Sequence, residues 1–141
     1  MRHGGNVWEG QPADWLDFSA NLRPEGTPVW VMDTMRAALS QACYYPDRAM
    51  RAARAGLALY LGVDENCVLP TAGGAAAIDL TLGVRRGAVH VQQPTFGEYA
   101  ERAKAHGRRM AANQAIQADD TVVICNPNNP TGTLLSPNDV L

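Results

Sequence analysis

The chain has 141 residues and a formal net charge of −2, long enough for one domain with a core. That balance gives no electrostatic footing for nucleic acid or an anionic membrane surface, and no apolar run nears the roughly 20 residues that span a bilayer. Cys43, Cys67 and Cys125 are odd in number and far apart, as expected of free thiols in a reducing, cytoplasmic compartment and not of a disulfide framework or zinc site. His3, His90 and His106 are equally scattered and suggest no metal constellation. The first residues lack the apolar core of a signal peptide.

Residues 1–28 are rich in Gly, Pro and Asn. They read as an extended arm, anchored by Trp8, Trp15 and Phe18 on its own domain or on a partner subunit. Pro28 opens a predicted helix to about residue 42, with Val29, Met32, Met35, Arg36 and Leu39 near one face. Tyr45 precedes a proline, is biased out of the α region and breaks that helix. A second helix is predicted over 48–61, with Gly62 as its C-cap.

Residues 66–70 read as a short strand that buries Cys67, Val68 and Leu69. The small-residue run 71–78 then opens a helix to about Leu82. Backbone N–H groups at such a helix start can converge on an oxyanion, and the helix dipole favours negative charge there. Close helix–strand packing selects the same small residues, so both readings stand. The run is neither a Walker loop nor Gly-x-Gly-x-x-Gly.

A strand is predicted over 88–92, with His90 a satisfied core or edge residue and not a catalyst. A helix follows over 98–106, capped by Gly107. Phe96 or Tyr99, just past the strand end, either stacks on a planar ring or simply packs. Residues 109–114 suggest a further strand. Val122-Val123-Ile124-Cys125 is a short apolar run that reads as a fully buried strand.

The next residues are Asn126-Pro127-Asn128-Asn129-Pro130-Thr131-Gly132. The prolines fix φ, and the glycine admits dihedrals that other residues avoid. Three amides therefore stand at the carboxyl end of a strand, where ligands bind in open α/β sheets. A chain-reversing turn uses the same residue types. The alternation of strands and helices predicts an α/β fold with a mostly parallel sheet. Its rim carries, in order, an anion-binding loop, an aromatic and a set of amides, a combination suited to an anionic aromatic cofactor.

The run Asn126 to Gly132 resembles the Asn-Pro-x-Asn-Pro-Thr-Gly signature of fold-type I enzymes that use pyridoxal 5'-phosphate (PLP). The whole chain is similar to the N-terminal part of the histidinol-phosphate aminotransferase and threonine-phosphate decarboxylase group. The similarity is carried by His3-Gly4-Gly5-Asn6, Asp17-Phe18-Ser19-Ala20-Asn21, Tyr45-Pro46-Asp47, residues 69–78, residues 94–99 and the Asn run. It implies a 1–28 arm followed by a partial PLP-binding large domain over 29–141. By the same resemblance the backbone of Gly73, Gly74 and Ala75 holds the cofactor phosphate. Phe96 stacks on the pyridine ring ahead of Tyr99, and Asn129 bonds the ring hydroxyl oxygen. Tyr45 reaches the cofactor phosphate of the other subunit in a homodimer, while His3 and Asn21 lie near a phosphorylated amino-acid substrate. The early His-Gly-Gly-Asn followed by Asp-Phe-Ser-Ala-Asn points to the decarboxylase of cobalamin biosynthesis over the aminotransferase.

The chain departs from that pattern in places. Ala72, Gly74 and Ala76 stand where the family often has Asn and acidic residues, and Arg23 where the decarboxylase relatives often have Asn. PLP chemistry needs a lysine amine that carries the cofactor and an acid on the pyridine nitrogen. Lys104 is the single lysine and reads as a solvated helix-face residue, so no catalytic residue is assigned. In the family both groups lie beyond the Thr-Gly turn. Ser136-Pro137-Asn138-Asp139 is a good helix start with two residues after it, which predicts too few for a turn and suggests a truncated product or half of a split enzyme. Two other readings are a non-catalytic phosphate-binding scaffold and a nucleotide-binding domain using Gly73 and Gly74. The latter leaves the Asn run without a role.

Overall fold

The computed structural model describes residues 4–8, 10–111 and 114–140. His3 lies outside the described residues. The chain divides into two units, Met1–Ala55 and Gly56–Leu141. Among the described residues no helix is long and apolar enough to cross a membrane, and no group of three or more potential metal ligands comes together.

In the first unit the chain crosses itself. The Gly5 N–H donates to Ser19 Oγ at 2.8 Å, and the Ser19 hydroxyl and N–H both bond the Asp17 carboxylate. Those two bonds hold the Asp17 carboxyl below its usual range. A Cβ on Gly4 would lie 1.8 Å from the Ser19 carbonyl oxygen, so only glycine permits the crossing. The Gly-Gly-Asn and Asp-Phe-Ser segments, predicted separately, thus form one local structure. Within the chain Trp8, Trp15 and Phe18 are at least half exposed.

Helix α1, Val29–Ala38, starts one residue later than predicted, with Pro28 as its cap. It tightens into a 3-10 turn over Leu39–Gln41, as helix ends commonly do. Its predicted apolar face is not buried, since Val29, Met35 and Leu39 are largely exposed. Helix α2, Arg51–Leu61, starts three residues later than predicted. The Asp47 carboxylate accepts the N–H groups of Ala49 and Arg51, and Met50 takes φ +49°. A side-chain turn therefore outcompetes the helix over those residues.

In the second unit α2 ends as expected at Gly62, φ +68°, with the Val63 N–H closing back on the Ala58 carbonyl. No strand forms over 66–70. Asp64 caps a 3-10 turn over Glu65–Cys67 by accepting the Asn66 N–H, which leaves Cys67 and Leu69 exposed. Helix α3, Gly74–Val84, precedes strand β1, Val89–Val91. Helix α4, Glu98–Ala105, crosses to strand β2, Thr121–Val123. The strands pair in parallel with Val89 opposite Thr121 and Val91 opposite Val123. Of the predicted 109–114 strand, the described residues form one bridge, between Met110 and Val89; residues 112 and 113 lie outside the described residues. A single helical turn, α5, forms over Pro137–Val140 where too few residues were predicted for one. Ser136 starts it by donating its N–H and hydroxyl to Asp139.

The core is small. Leu82, Val89 and Ala103 are fully buried, with Ile78 and Val123 packed against them. β2 is not fully buried: Val123 turns inward while Val122 and Ile124 are about half exposed, the alternation of a strand covered on one face. Beside these few side chains sits a buried guanidinium. Arg108 donates to the carbonyls of Gly87, Leu82 and Ala88 and to Thr121 Oγ1, at 2.7, 3.0, 3.1 and 2.8 Å. It ties the end of α3 to the starts of both strands. The Leu82 carbonyl belongs to the last turn of α3, where the dipole favours a cation.

Candidate functional site

The parallel register sets the loops after β1 and β2 side by side at one rim. Asn128 joins them: its Oδ1 accepts the Thr95 hydroxyl at 2.7 Å, and its Nδ2 donates to the Pro94 carbonyl at 3.0 Å. Helix α3 brings a third segment to the same rim. Asp79 meets Arg102 and His106 of the next helix at 3.9 and 3.1 Å, and Gly83 faces the His106 ring. The middle of α3 thus meets the second half of α4, and late Gly83 meets the residue just past its end, so the helices run in parallel. Five residues back from Asp79 and Arg102, Gly74 and Gly97 therefore lie at the same end. The structure brings the segments of Gly73, Phe96 and Asn129 to one rim.

Their local geometry differs. Gly73 takes φ +83° and ψ 170° before α3, a region that essentially only glycine adopts. A Cβ on Gly73 or Gly74 would meet nothing within 4 Å. Close packing is therefore not why Gly73 and Gly74 lack side chains; Gly73 is needed for its backbone path, and the start of α3 is left open. Phe96 and Tyr99 pack edge to face, with ring centroids 5.8 Å apart. Tyr99 is engaged further: its hydroxyl bonds the Cys125 sulfur, which with partial burial pushes the phenol up to about 12. The same bond, then the Asn129 N–H and Thr95, draw the Cys125 thiol down. Phe96 remains partly exposed.

The three asparagine amides, equivalent in sequence, divide into two kinds. Asn126 donates to the Leu135 carbonyl at 3.1 Å and accepts its N–H at 2.9 Å. Asn128 is spent on Thr95, Pro94 and Thr131. Asn129 is exposed, and its side-chain amide has no hydrogen-bond partner among the described residues. His90 is satisfied as expected, its Nε2 lying 2.8 Å from Asp120. Asp120 went unnoticed in sequence: it also accepts the N–H groups of Gln117 and Ala88. Nothing in an Asp-Asp pair says which one turns inward.

Lys104 lies in the last turn of α4, about 10 Å along the axis from Gly97 at 1.5 Å per residue. It is exposed and stands toward the opposite end of the helix from the rim. In the first unit Asn21 and Tyr45 are exposed, Tyr45 completely.

Comparisons with known proteins agree with this architecture. No family model matches the chain. It is 34% identical over 152 residues to a threonine-phosphate decarboxylase of Sinorhizobium sp, an alignment covering 99% of this chain and 44% of that protein. It is 26% identical to a histidinol-phosphate aminotransferase of Desulfitobacterium hafniense, over 91% and 42% of the two chains. The crystal structure of L-threonine-O-3-phosphate decarboxylase from Porphyromonas gingivalis has the same fold, with a TM-score of 0.74 and 24% identity over 86% of this chain and 42% of that one. The chain thus spans less than half the length of the relatives it matches. The chain is thus homologous to threonine-phosphate decarboxylases and histidinol-phosphate aminotransferases, and it shares the fold of these fold-type I PLP-dependent enzymes.

Proposed function

We propose that this chain supplies the phosphate, ring and ring-oxygen contacts of a PLP site in a threonine-phosphate decarboxylase-like enzyme. The observation that carries the reading is the division of the asparagines: two hold the loops and Asn129 is left over at the rim. The group fits on two further grounds. The glycine-only path at Gly73 has open space about it, and Phe96 stands partly exposed in the loop after β1. Backbone N–H groups of Gly73, Gly74 and Ala75 hold the phosphate, Phe96 covers the ring, and Asn129 donates to the ring hydroxyl oxygen. Bound there, PLP supplies an electron sink for charge developing on a substrate α-carbon.

In this reading His3 and Asn21 take a phosphorylated amino acid, and Tyr45 serves the phosphate of a partner subunit in a cytoplasmic homodimer. The decarboxylase of cobalamin biosynthesis is preferred over the aminotransferase, because decarboxylase relatives reach 34% identity. Lys104 is too far along its helix to carry the cofactor, so the chain binds PLP without holding it covalently. Titration of the full chain with PLP, followed by absorbance, tests this. Saturable binding is expected, weakened about tenfold in Asn129→Ala, the worth of one hydrogen bond to a charged or polar oxygen. Borohydride should fix no PLP on Lys104. Covalent trapping there, or binding of nucleotides in preference to PLP, overturns the reading.

A further inference from the structure

We propose that Asn128 is a positioning residue whose amide joins the 94–99 loop to the 126–132 loop and thereby sets Asn129 and Phe96 in a fixed relation. The geometry stands by itself; its meaning for a cofactor rests on the PLP reading above.

An asparagine amide has two N–H donors and one carbonyl oxygen. In Asn128 all are used. The oxygen accepts from Thr95 at 2.7 Å, and the N–H groups donate to the Pro94 carbonyl at 3.0 Å and to Thr131 Oγ1 at 2.8 Å. The first two bonds bridge loops 33 and 34 residues apart in sequence. The third holds the residue to its own loop, as do its backbone bonds to Thr133 and Gly132 at 2.8 and 2.7 Å. No other side chain has this inventory at this length. Aspartate loses both donors, leucine loses everything, and glutamine carries the amide one carbon too far.

The residue on each side of the bridge is one that the site needs. Thr95 immediately precedes Phe96, and Asn128 immediately precedes Asn129. Asn126 does not share this duty, since both its bonds return to Leu135 within the same excursion. A group that must meet a ligand is placed well only when its support is fixed by packing and further hydrogen bonds.

The test is amide hydrogen exchange, read by mass spectrometry on the full chain, with PLP titration as a second arm. Asn128→Ala and Thr95→Val should each speed exchange about tenfold in residues 95–99 and at Asn129, by opening a local unit, while α3 and β1 keep their protection. Thr95→Ser keeps the hydroxyl and should restore protection. In the PLP arm Asn128→Ala should weaken binding about as much as Asn129→Ala does, and Thr95→Ser should not. Unchanged exchange at 95–99 in Asn128→Ala overturns the proposal. So does uniformly faster exchange in Thr95→Val, which would make the bond general support. If the wild-type chain binds no PLP while the local exchange pattern appears, the cofactor reading fails and the bridge stands.

Discussion

The two ends of the β1–β2 sheet are built on opposite terms. At the amino end every polar group that turns inward finds its partners within the chain: Arg108 on three carbonyls and Thr121, Asp120 on two N–H groups and His90. At the carboxyl end the framework is equally well bonded through Asn126 and Asn128, yet it leaves the Asn129 side-chain amide and the start of α3 uncommitted and Phe96 partly exposed. The contrast teaches where stability and recognition reside. With only three fully buried apolar side chains in the core among the described residues, the closed network at the amino end carries much of what keeps the unit folded. The open groups at the other end cost the fold little and are available for a ligand.

Substitutions that move one end and not the other sharpen this contrast. Arg108→Met should have the largest effect, about 3–5 kcal/mol of stability, because it strands several buried acceptors at once. Urea unfolding followed by circular dichroism measures it, and a loss under about 1 kcal/mol would place the unit's stability elsewhere. Gly73→Ala acts at the rim. It should cost about 1–3 kcal/mol by forcing a side chain into the glycine-only region, and the same unfolding assay reads it.

The smallest effect is a dependence on acid. The Gln117 N–H and then His90 hold the Asp120 carboxyl at about 2, below its ordinary 3.8. The unfolded chain therefore takes up this proton before the folded one does. The stabilisation is full above about pH 4 and is lost as pH falls toward 2. Thermal melts across that window should show an acid limb that flattens in Asp120→Asn.

The parts legible in sequence are those decided locally. Gly62 and Gly107 end their helices where the pattern said they would, both at positive φ. The parallel pair with its crossover helix follows from the alternation of elements. The 66–70 strand failed because Asp64 offers the next N–H groups a nearer partner than any neighbouring strand. Helix α2 was foreseen three residues too long for the same reason at Asp47. The amino-end network was not legible, because whether Arg108 or Arg109 turns inward depends on carbonyls up to 26 residues away. At the rim the Asn run announced itself, but its division of labour did not. Three identical side chains are told apart only by what the fold sets beside each one.

Two helices running side by side in one sense make the molecule a small electrical object with poles. Each contributes roughly half a positive elementary charge where it begins and half a negative one where it ends. At the start of α4 that half charge already has a counterweight in Glu98, pinned by Arg102 at 2.9 Å. The start of α3 has no acidic side chain in its first turn. The asymmetry is thus concentrated over a few ångströms of backbone beside Gly74, and an approaching anion would be drawn to one corner of the rim before any side chain touched it.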